Sequence, residues 1–362
     1  MPISKITATS VADNTLTTDQ FSANAVHGVR NLIINGAMQV AQRSTSAVTG
    51  LTETDDGYKT VDRWKYIPSG TVNTGQITMS YEEDAPKDFK YSTKYLVTVA
   101  DTDMSTTGAL RLETHLEAQN LRHLNYGSSD AQQVTLSFWV KSNKTGSYSA
   151  GLYMDSVTGD KEASQAYTIN SADTWEYKAL TFSANTSTTM NPIDNDHGLR
   201  AWFHQAAGSN FTGGASNTWG DSSHRAVGQS VNLYDTVNNY WQITGIQLEV
   251  GEQATPFEHR SYADELARCQ RYYKEWSGNI ETAGRTKNGT TTCNFALEMR
   301  ATPTVTFGTA YAYRNNTGYQ ITAIVANSSQ GNLATTHTSF SSTNSGAAAS
   351  LFLANLKVDA EL

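Results

Sequence analysis

The stretch WQITGIQLEVGEQATPFEHRSYADELARCQRYY, residues 241–273, decides the architecture of this chain. Its beginning predicts a β-strand, because β-branched and other apolar residues alternate with polar ones up to Val250. Gly251 ends that strand, and Pro256 biases Thr255 toward an extended rather than a helical backbone. The stretch therefore predicts the last strand of an all-β domain, followed by an extended turn.

A short helix follows the turn. Ser261 is a favourable N-cap residue, and Asp264 lies three residues later, as in a capping box. Apolar residues at i, i+4, i+7 and i+11 predict one buried stripe, made of Tyr262, Leu266, Cys269 and Tyr273. Four charged residues are predicted to face away from it: Asp264, Glu265, Arg268 and Arg271. We interpret residues 258–276 as a hinge helix that packs against neighbouring helices of an oligomer or against the β domain.

The same stretch resembles the domain junction of many bacteriophage tail fibre and receptor-binding proteins. In that family a strand written G-[IV]-Q-L-E-x-G precedes A-T-P-F-E-x-R and then E-L-x-x-C-Q-R-Y-Y. The matching residues here are Gly245–Gly251, Ala254–Arg260, Glu265–Leu266 and Cys269–Tyr273. Upstream, Asn31–Gly36 and Val61–Trp64 resemble the start of the same domain, so the resemblance covers roughly residues 1–275.

This resemblance implies a structural virion protein on the phage tail, although it identifies neither host nor receptor. It implies a homotrimeric tail fibre that recognises a host-surface glycan through a sandwich like those of carbohydrate-binding modules. It also implies an N-terminal arm that attaches to another tail or adaptor protein. Two alternatives stay open: a head or collar decoration protein with a purely structural role, and a glycan-processing tail spike.

Charge and composition limit the partners. Charged residues make up 17% of the chain and the formal net charge is −8, which argues against nucleic acid or an anionic membrane as the main partner. No segment approaches the ~20 apolar residues of a membrane span, and the N-terminus lacks the apolar core of a signal peptide. We therefore expect no membrane insertion, and release by a route such as lysis. Cys269 and Cys293 fall on apolar faces, which favours buried free thiols over a disulfide.

Residues 1–30 have an unusual apolar spacing. One apolar residue recurs every five positions: Ile6, Val11, Leu16, Phe21 and Val26. A step of five rotates an α-helix by about 140°, and an odd step alternates between the faces of a strand, so these side chains share no face within one chain. Short repeats of this kind resemble the arms of phage fibres, in which three chains supply one another's core. We interpret the segment as a virion-attachment and trimer arm; a disordered leader is the alternative.

Residues 31–257 predict a jelly-roll-like β-sandwich. Ten short strand patterns are separated by turn residues, with no long amphipathic helix between them. They are Asn31–Ile34, Asp62–Tyr66, Gly75–Tyr81, Tyr95–Val99, Ala109–Glu117, Gln133–Lys141, Tyr148–Met154, Trp175–Phe182, Gly198–His204 and Tyr240–Val250. A short helical turn is predicted within Leu116–Leu124.

Residues 277–362 predict a second, smaller β domain. Its strand patterns are Thr290–Met299, Thr304–Tyr313, Gln320–Ala326 and Ser350–Glu361. Between them, Asn327–Ala349 is rich in Ser, Thr, Asn and Gly, which suits an exposed tip. The expected fold is therefore mainly β, with an N-terminal arm, a sandwich, a short hinge helix and a small C-terminal β domain.

No pattern for catalysis is present. The sequence lacks a G-x-S-x-G motif and zinc-ligand spacing, and residues 82–84 form an acidic run on a predicted loop. Acidic turns at residues 54–56, 101–103, 155–160 and 194–196 offer the oxygen ligands that calcium prefers, but none has EF-hand spacing. Asp and Asn are also ordinary turn residues. We expect a protein that is not an enzyme and has no cofactor, with one structural calcium ion as the alternative.

Aromatic residues are the best candidates for recognition, because sugar-binding sandwiches stack such rings on the apolar faces of pyranoses. Five tryptophans on predicted strands are assigned to the core: Trp64, Trp139, Trp175, Trp202 and Trp241. Trp219 lies in a Gly-rich loop and is predicted to be an exposed receptor contact. A second group of receptor-binding candidates lies near the distal hairpin: Tyr311, Tyr313, Arg314 and Tyr319. For its tyrosines, filling a trimer core is the alternative.

Overall fold

The computed structural model describes residues 30–70, 75–191, 194–282, 288–294, 298–306, 309–314, 317–320, 324–327, 335–341 and 350–361. For residues 277–294 and 309–355 the description covers the backbone alone. The apolar ladder of the predicted arm and most of the predicted tip loop lie outside the described residues.

Two six-stranded antiparallel sheets form a β-sandwich, as the mainly β fold class predicts. Their strands are β1 (Val48–Leu51), β2 (Gly57–Tyr58), β3 (Lys65–Ser69), β4 (Gln76–Glu82), β5 (Ser92–Val99), β6 (Ala109–Glu117), β7 (Val134–Ser142), β8 (Gly146–Met154), β9 (Lys161–Ile169), β10 (Glu176–Phe182), β11 (His197–Ala207) and β12 (Tyr240–Val250). The first sheet has the order β1-β4-β5-β12-β7-β10, and the second has the order β2-β3-β6-β11-β8-β9. Three pairs, β2-β3, β4-β5 and β8-β9, join strands that follow each other along the chain, and the other seven pairs join strands that are not consecutive.

Sequence periodicity predicts these strands well where one face is continuously apolar. The two predicted strands Ala109–Glu117 and Tyr240–Val250 have the observed bounds, and the predicted helical turn is a 3-10 helix at Ala118–Leu124. The prediction omits the short strands β1 and β2, and it omits β9, whose sequence KEASQAYTI mixes small, polar and apolar residues on both faces. The predicted strand Asn31–Ile34 is wrong: this segment is irregular and ends in a bend.

The core lies between the two sheets. Phe138 of β7 and Phe203 of β11 are fully buried and meet edge to face, with ring centroids 4.9 Å apart. Trp241 of β12 is also fully buried, and its ring centroid lies 6.3 Å from that of Phe203. Burying such aromatic rings is the main source of stability in a sandwich of this kind.

Not all of the tryptophans assigned to the core lie in it. Trp64, Trp202 and Trp241 are buried, as predicted. Trp139 and Trp175 are only partly buried, so their assignment was wrong. Successive residues of a strand point to opposite faces, and because Phe138 points into the core, Trp139 lies on the outer face.

A short helix, α1 (Tyr262–Gln270), follows the sandwich. Its N-cap is the predicted one, since the Ser261 hydroxyl accepts a hydrogen bond from the backbone N–H of Asp264 at 3.2 Å. This bond satisfies one of the N–H groups that the first helical turn leaves unpaired.

The apolar stripe predicted for α1 is wrong in register. Cys269, a free thiol, and Tyr273 are buried as expected, whereas Tyr262 is 57% exposed and Leu266 is half-buried. The buried residue of the first turn is Glu265, which the pattern had facing away. A carboxylate takes this position because tertiary hydrogen bonds and an ion pair satisfy it.

The segment after α1 is fastened to the sandwich by buried charges. Glu117, at the end of β6, accepts hydrogen bonds from Arg271 at 2.9 Å and from the Tyr272 hydroxyl at 2.5 Å. The fully buried Arg63 lies 3.4 Å from the centroid of the Tyr272 ring and forms an ion pair with Glu361. Because each buried charge has a partner, these contacts tie the segment predicted as a hinge to the base of the sandwich.

Eight further strands form two smaller antiparallel sheets. They are β13 (Tyr273–Thr282), β14 (Asn288–Asn294), β15 (Thr304–Thr306), β16 (Thr309–Arg314), β17 (Thr317–Gln320), β18 (Ile324–Asn327), β19 (Thr335–Ser341) and β20 (Ser350–Asp359). One sheet has the order β13-β20-β16-β17, with β15 also pairing with β20, and the other has the order β14-β19-β18. The predicted boundaries between domains stay predictions.

The outer face of the second sheet carries buried charges. Glu113 is fully buried between Arg111, whose Nε lies 2.7 Å from its carboxylate, and His115, whose Nε2 lies 2.5 Å from it. Burial lowers the pKa of His115 to about 4, although the hydrogen bond to Glu113 acts in the opposite direction. At neutral pH the folded protein therefore holds this imidazole in its neutral form.

Replacing His115 with Gln should make the fold less sensitive to acid. The pKa of His115 is about 4 when folded, against an ordinary value of 6.5, so the unfolded state binds more protons between these values. As the pH falls through this window, the parent should lose ~3 kcal/mol of unfolding free energy relative to His115→Gln. Chemical denaturation at a series of pH values measures this difference.

Burial raises the pKa of Asp62 to about 6, so protonation of Asp62 stabilises the folded state as the pH falls through the same window. Both the parent and His115→Gln carry Asp62, so the difference between their unfolding free energies cancels this contribution. His224→Gln, at a half-buried histidine outside the strands of the sandwich, is the control and should follow the parent. Parallel curves for the parent and His115→Gln would contradict the neutral buried imidazole.

Candidate functional site

An irregularity in β12 shapes the outer face of the first sheet. The pairing of β12 with β7 shifts between Thr244 and Gln247, which marks a β-bulge. Gly245 lies in the bulge with φ +62°, and a Cβ there would stand 2.7 Å from the ring of Phe89. Position 245 therefore requires glycine for two reasons: the left-handed backbone conformation and the close approach of the Phe89 ring.

Buried polar side chains of β12 then direct the chain back across this face. Glu249 is fully buried, and its carboxylate accepts the backbone N–H of Thr255 at 2.8 Å and the Thr255 hydroxyl at 2.6 Å. Gln247 is also fully buried, and its carbonyl oxygen accepts the backbone N–H of Glu258 at 2.8 Å. The segment 254–258 consequently lies against the sheet and forms a wall beside the bulge.

The N-terminal segment of the described chain holds this wall from the other side. The backbone N–H of Asn31 donates to the Glu258 carboxylate at 2.6 Å. The side chain of Asn31 donates to the carbonyl oxygen of Ile246 and accepts the backbone N–H of Leu248, each at 3.1 Å. Arg30 donates to the Thr255 hydroxyl at 2.8 Å. The two ends of the sandwich domain are therefore joined at the same place.

Helix α1 belongs to the same clasp. Arg260 donates to the backbone carbonyl oxygen of Ile33 at 3.1 Å and pairs with Glu265 at 3.6 Å. The Glu265 carboxylate in turn accepts the backbone N–H of Asn35. These contacts explain the burial of Glu265 and fix the helix relative to the wall.

Between the wall and the sheet lies a groove of about 870 Å³, which we call the aromatic groove. Its lining residues are Lys87, Asp88, Phe89, Ser137, Trp139, Tyr177, Gly245, Ala254, Thr255, Pro256, Phe257 and His259. Trp139 and Tyr177 are direct cross-strand partners with ring centroids 5.4 Å apart, and Tyr177 is 45% exposed. Phe89 and Phe257 meet edge to face at 5.0 Å on the opposite side.

Polar groups lie beside the aromatic rings. The Trp175 indole N–H donates to the Asp84 carboxylate at 3.3 Å, and Gln242 donates to it at 3.4 Å. Lys141 forms an ion pair with Asp84 and lies 5.2 Å from the centroid of the Trp175 ring. Although desolvation acts to raise it, the pKa of Asp84 is lowered by hydrogen bonds from Lys141 and Trp175. Lys141 lies two residues from Trp139 on the same face of β7, so this charged pair lies on the outer face of the sheet that carries the rings of the groove.

Trp219, the predicted loop contact, is half-buried rather than fully exposed. Its indole N–H donates to the carbonyl oxygen of Ser183 at 2.7 Å, and its ring meets Tyr126 edge to face at 5.7 Å. These contacts attach its loop to the sandwich. A role of Trp219 in receptor binding stays a prediction.

The distal candidates lie on one hairpin. Tyr311, Tyr313 and Arg314 belong to β16, Tyr319 belongs to β17, and the two strands pair in antiparallel register. Their side chains lie outside the described part of the structure, so their receptor role stays a prediction. Trp219, the receptor-binding candidate whose side chain the structure describes, does not line the aromatic groove. The sequence feature that indicates the groove is the pair of adjacent aromatic residues Phe138 and Trp139, which supplies one ring to each face of β7.

The described ranges contain no cluster of three or more His, Cys, Asp or Glu residues arranged to hold a metal ion. The predicted alternative of a structural calcium ion is not tested by this finding. No helix within these ranges is long and apolar enough to cross a membrane.

Comparisons with known proteins find similarity in structure alone. No protein-family model matches the chain, and no curated protein is detectably similar in sequence. One similar structure is the enzymatically active domain of a tailspike protein of bacteriophage CBA120, with 15% identity and a TM-score of 0.34 over 61% of this chain. The match spans 21% of that tailspike domain.

Two carbohydrate-binding modules are similar at a comparable level. The module TmCBM61, solved with β-1,4-galactotriose, has 9% identity and a TM-score of 0.31 over 62% of this chain and all of its own length. The family 11 module of a cellulosomal cellulase of Clostridium thermocellum has 12% identity and a TM-score of 0.29, over 59% of this chain and 99% of its own. At these scores the likeness carries no argument about what this chain binds.

Replacing Glu249 with Ala should loosen the wall of the aromatic groove. The substitution leaves the Thr255 N–H and hydroxyl without their acceptor, which costs ~1–3 kcal/mol for groups kept from water. Hydrogen exchange at the Thr255 amide should accelerate while exchange in the core strands changes little. Glu252→Ala, on the exposed turn before the wall, is the control. Unchanged protection of the Thr255 amide would show that Glu249 does not hold the wall.

Proposed function

We propose that this protein binds carbohydrate chains in the aromatic groove on the outer face of the first sheet. The observation that carries the proposal is the combination of the partly exposed rings of Trp139 and Tyr177 with the charged pair Asp84 and Lys141 nearby. Sugar rings present apolar C–H faces and polar hydroxyl edges, which aromatic faces and hydrogen-bonding groups recognise respectively. The rings lie on paired β-strands, so they are held in place before any ligand arrives.

The construction of the groove also supports binding. Its floor is a six-stranded sheet, and its wall is fixed by the buried acceptors Gln247 and Glu249. A binding surface on rigid elements loses little conformational entropy when a ligand arrives. The acidic net charge of −8 is consistent with a neutral rather than a polyanionic ligand.

The biological setting that we propose is adsorption of a bacteriophage to its host. In it the chain acts as a homotrimeric tail fibre, the predicted arm of residues 1–30 attaches it to another tail or adaptor protein, and the host-surface glycan is the ligand. What supports this setting is the resemblance of the junction motif and the five-residue ladder of the arm. The chain would act without catalysis, as we expect from a sequence that carries no catalytic motif.

Removing either ring of the groove should weaken binding without unfolding the protein. Trp139→Ala and Tyr177→Ala should each lower the affinity for host-surface polysaccharide about tenfold, because each deletes a stacking face. Val157→Ala, at a residue that is 68% exposed in the turn between β8 and β9 of the second sheet, is the matched control and should bind like the parent. Binding is measured by affinity electrophoresis or calorimetry, and circular dichroism checks the fold. Full binding by the Trp139 variant would remove this groove as the site.

The assembly of the fibre has a separate test. The ladder from Ile6 to Val26 has no single-chain arrangement that buries it, so the full-length protein should form a threefold complex. Native mass spectrometry or light scattering at micromolar concentration should give three times the chain mass of 39.4 kDa. A stable monomer would contradict the role of the arm. A variant with these five residues changed to Ser should dissociate and still bind glycan.

A further inference from the structure

A second, smaller cavity lies directly beside the aromatic groove. It has a volume of about 230 Å³ and is lined by Ala37, Gln39, Asp88, Phe89, Lys90, Tyr91, His259 and Tyr262. Three of these residues, Asp88, Phe89 and His259, also line the aromatic groove. The two cavities are therefore the two sides of one ridge rather than separate sites.

The ridge is formed by two rings that come from parts of the chain distant in sequence. The ring centroids of Phe89 and His259 lie 5.3 Å apart. Phe89 comes from the turn between β4 and β5, where Asp88 has φ +80°, a left-handed conformation that turns the chain toward the bulge of β12. His259 follows the wall segment, and its ring meets Phe257 edge to face at 4.9 Å.

Aromatic rings also line the far side of the ridge. Tyr91 stacks on Tyr81 of β4 with ring centroids 4.5 Å apart, and Thr244 of β12 donates to the Tyr91 carbonyl oxygen at 2.6 Å, which fixes its position. Tyr262, at the start of α1, is 57% exposed despite its size. Lys90 lies 4.8 Å from the centroid of the Tyr91 ring.

The line of rings crosses the strands of the first sheet. It starts at Tyr177 on the edge strand β10, passes Trp139 on β7 and the bulge of β12, and ends at Tyr91 just before β5. With neighbouring strands ~4.8 Å apart, three strand spacings give a span of ~14 Å. This exceeds the size of one sugar ring, so a single terminal sugar could not contact both ends.

We propose that the second cavity is a further subsite of the same groove, with Tyr262 as a sugar contact, and that the protein therefore recognises several consecutive units of a glycan chain rather than one terminal sugar. This inference rests on the proposed function. The occupant of the second cavity is a unit of the same glycan chain, because the two cavities share Asp88, Phe89 and His259. The second cavity also has the same mixture of aromatic rings and charged side chains.

Chain length and Tyr262 together test the proposal. The probes are size-fractionated disaccharides, tetrasaccharides and hexasaccharides made from a host polysaccharide that binds the parent in a Trp139-dependent manner. The parent should bind the hexasaccharide about tenfold more tightly than the disaccharide, because more rings are engaged. Tyr262→Ala should lose that gain and leave disaccharide affinity unchanged, whereas Tyr262→Phe, which keeps the ring, should retain most of it. Val157→Ala should behave like the parent.

Each result separates this inference from the proposed function. Equal affinity for all three lengths, or a Tyr262→Ala variant with the parental length dependence, overturns the subsite and leaves glycan binding in the aromatic groove standing. Failure of the parent to bind any host polysaccharide, or binding that Trp139→Ala leaves intact, overturns both. A Tyr262→Ala variant that changes the mass of the assembly with no change in length dependence would assign Tyr262 to an interface between copies instead.

Discussion

The need to satisfy two buried polar side chains on β12 determines how the domain is built. Glu249 and Gln247 are fully buried on the outer face of a strand, where an unpaired carboxylate or amide would cost several kcal/mol. Their partners are backbone and side-chain groups of residues 255 and 258, so the chain must turn at Gly251 and cross back over the sheet. That return path is the wall of the aromatic groove, and the proposed binding surface is thus a consequence of how the last strand is terminated.

The same requirement accounts for the polar residues of the junction sequence. Asn31, Arg260 and Glu265 satisfy one another or the backbone of β12 through bonds that link the start of the sandwich to its end. Arg63 and Glu361 form a second buried pair at the base of the sandwich. Removing one member of such a network leaves the other buried without a partner, which is why substitutions are costly there. The polar residues of the motif therefore stabilise the junction, and the rings beside it are free to contact a ligand.

Sequence reasoning succeeded where the cause of structure is local. Alternation along β6 and β12 gives their bounds, and the Ser261 cap marks the start of α1, because these signals lie within a few residues. It failed where distant residues decide: the stripe of α1 is displaced because tertiary partners make Glu265 a buried residue. The groove is missed for a related reason, since the sequence analysis assigns Trp139 to the core, whereas its neighbour Phe138 is the ring that points there. Which of two adjacent aromatics faces the solvent depends on the sheet that covers the other.

The most direct test of this account is the nuclear magnetic resonance spectrum of the Trp139 indole N–H during titration with a hexasaccharide from host polysaccharide. The indole signal should shift in a saturable manner, and intermolecular transfer of magnetisation should connect sugar C–H protons to the Trp139 and Tyr177 rings. Signals from buried rings such as Trp241 should not move. A titration that leaves the Trp139 signal unchanged while the sugar binds elsewhere on the chain would contradict the assignment of the groove as the binding site.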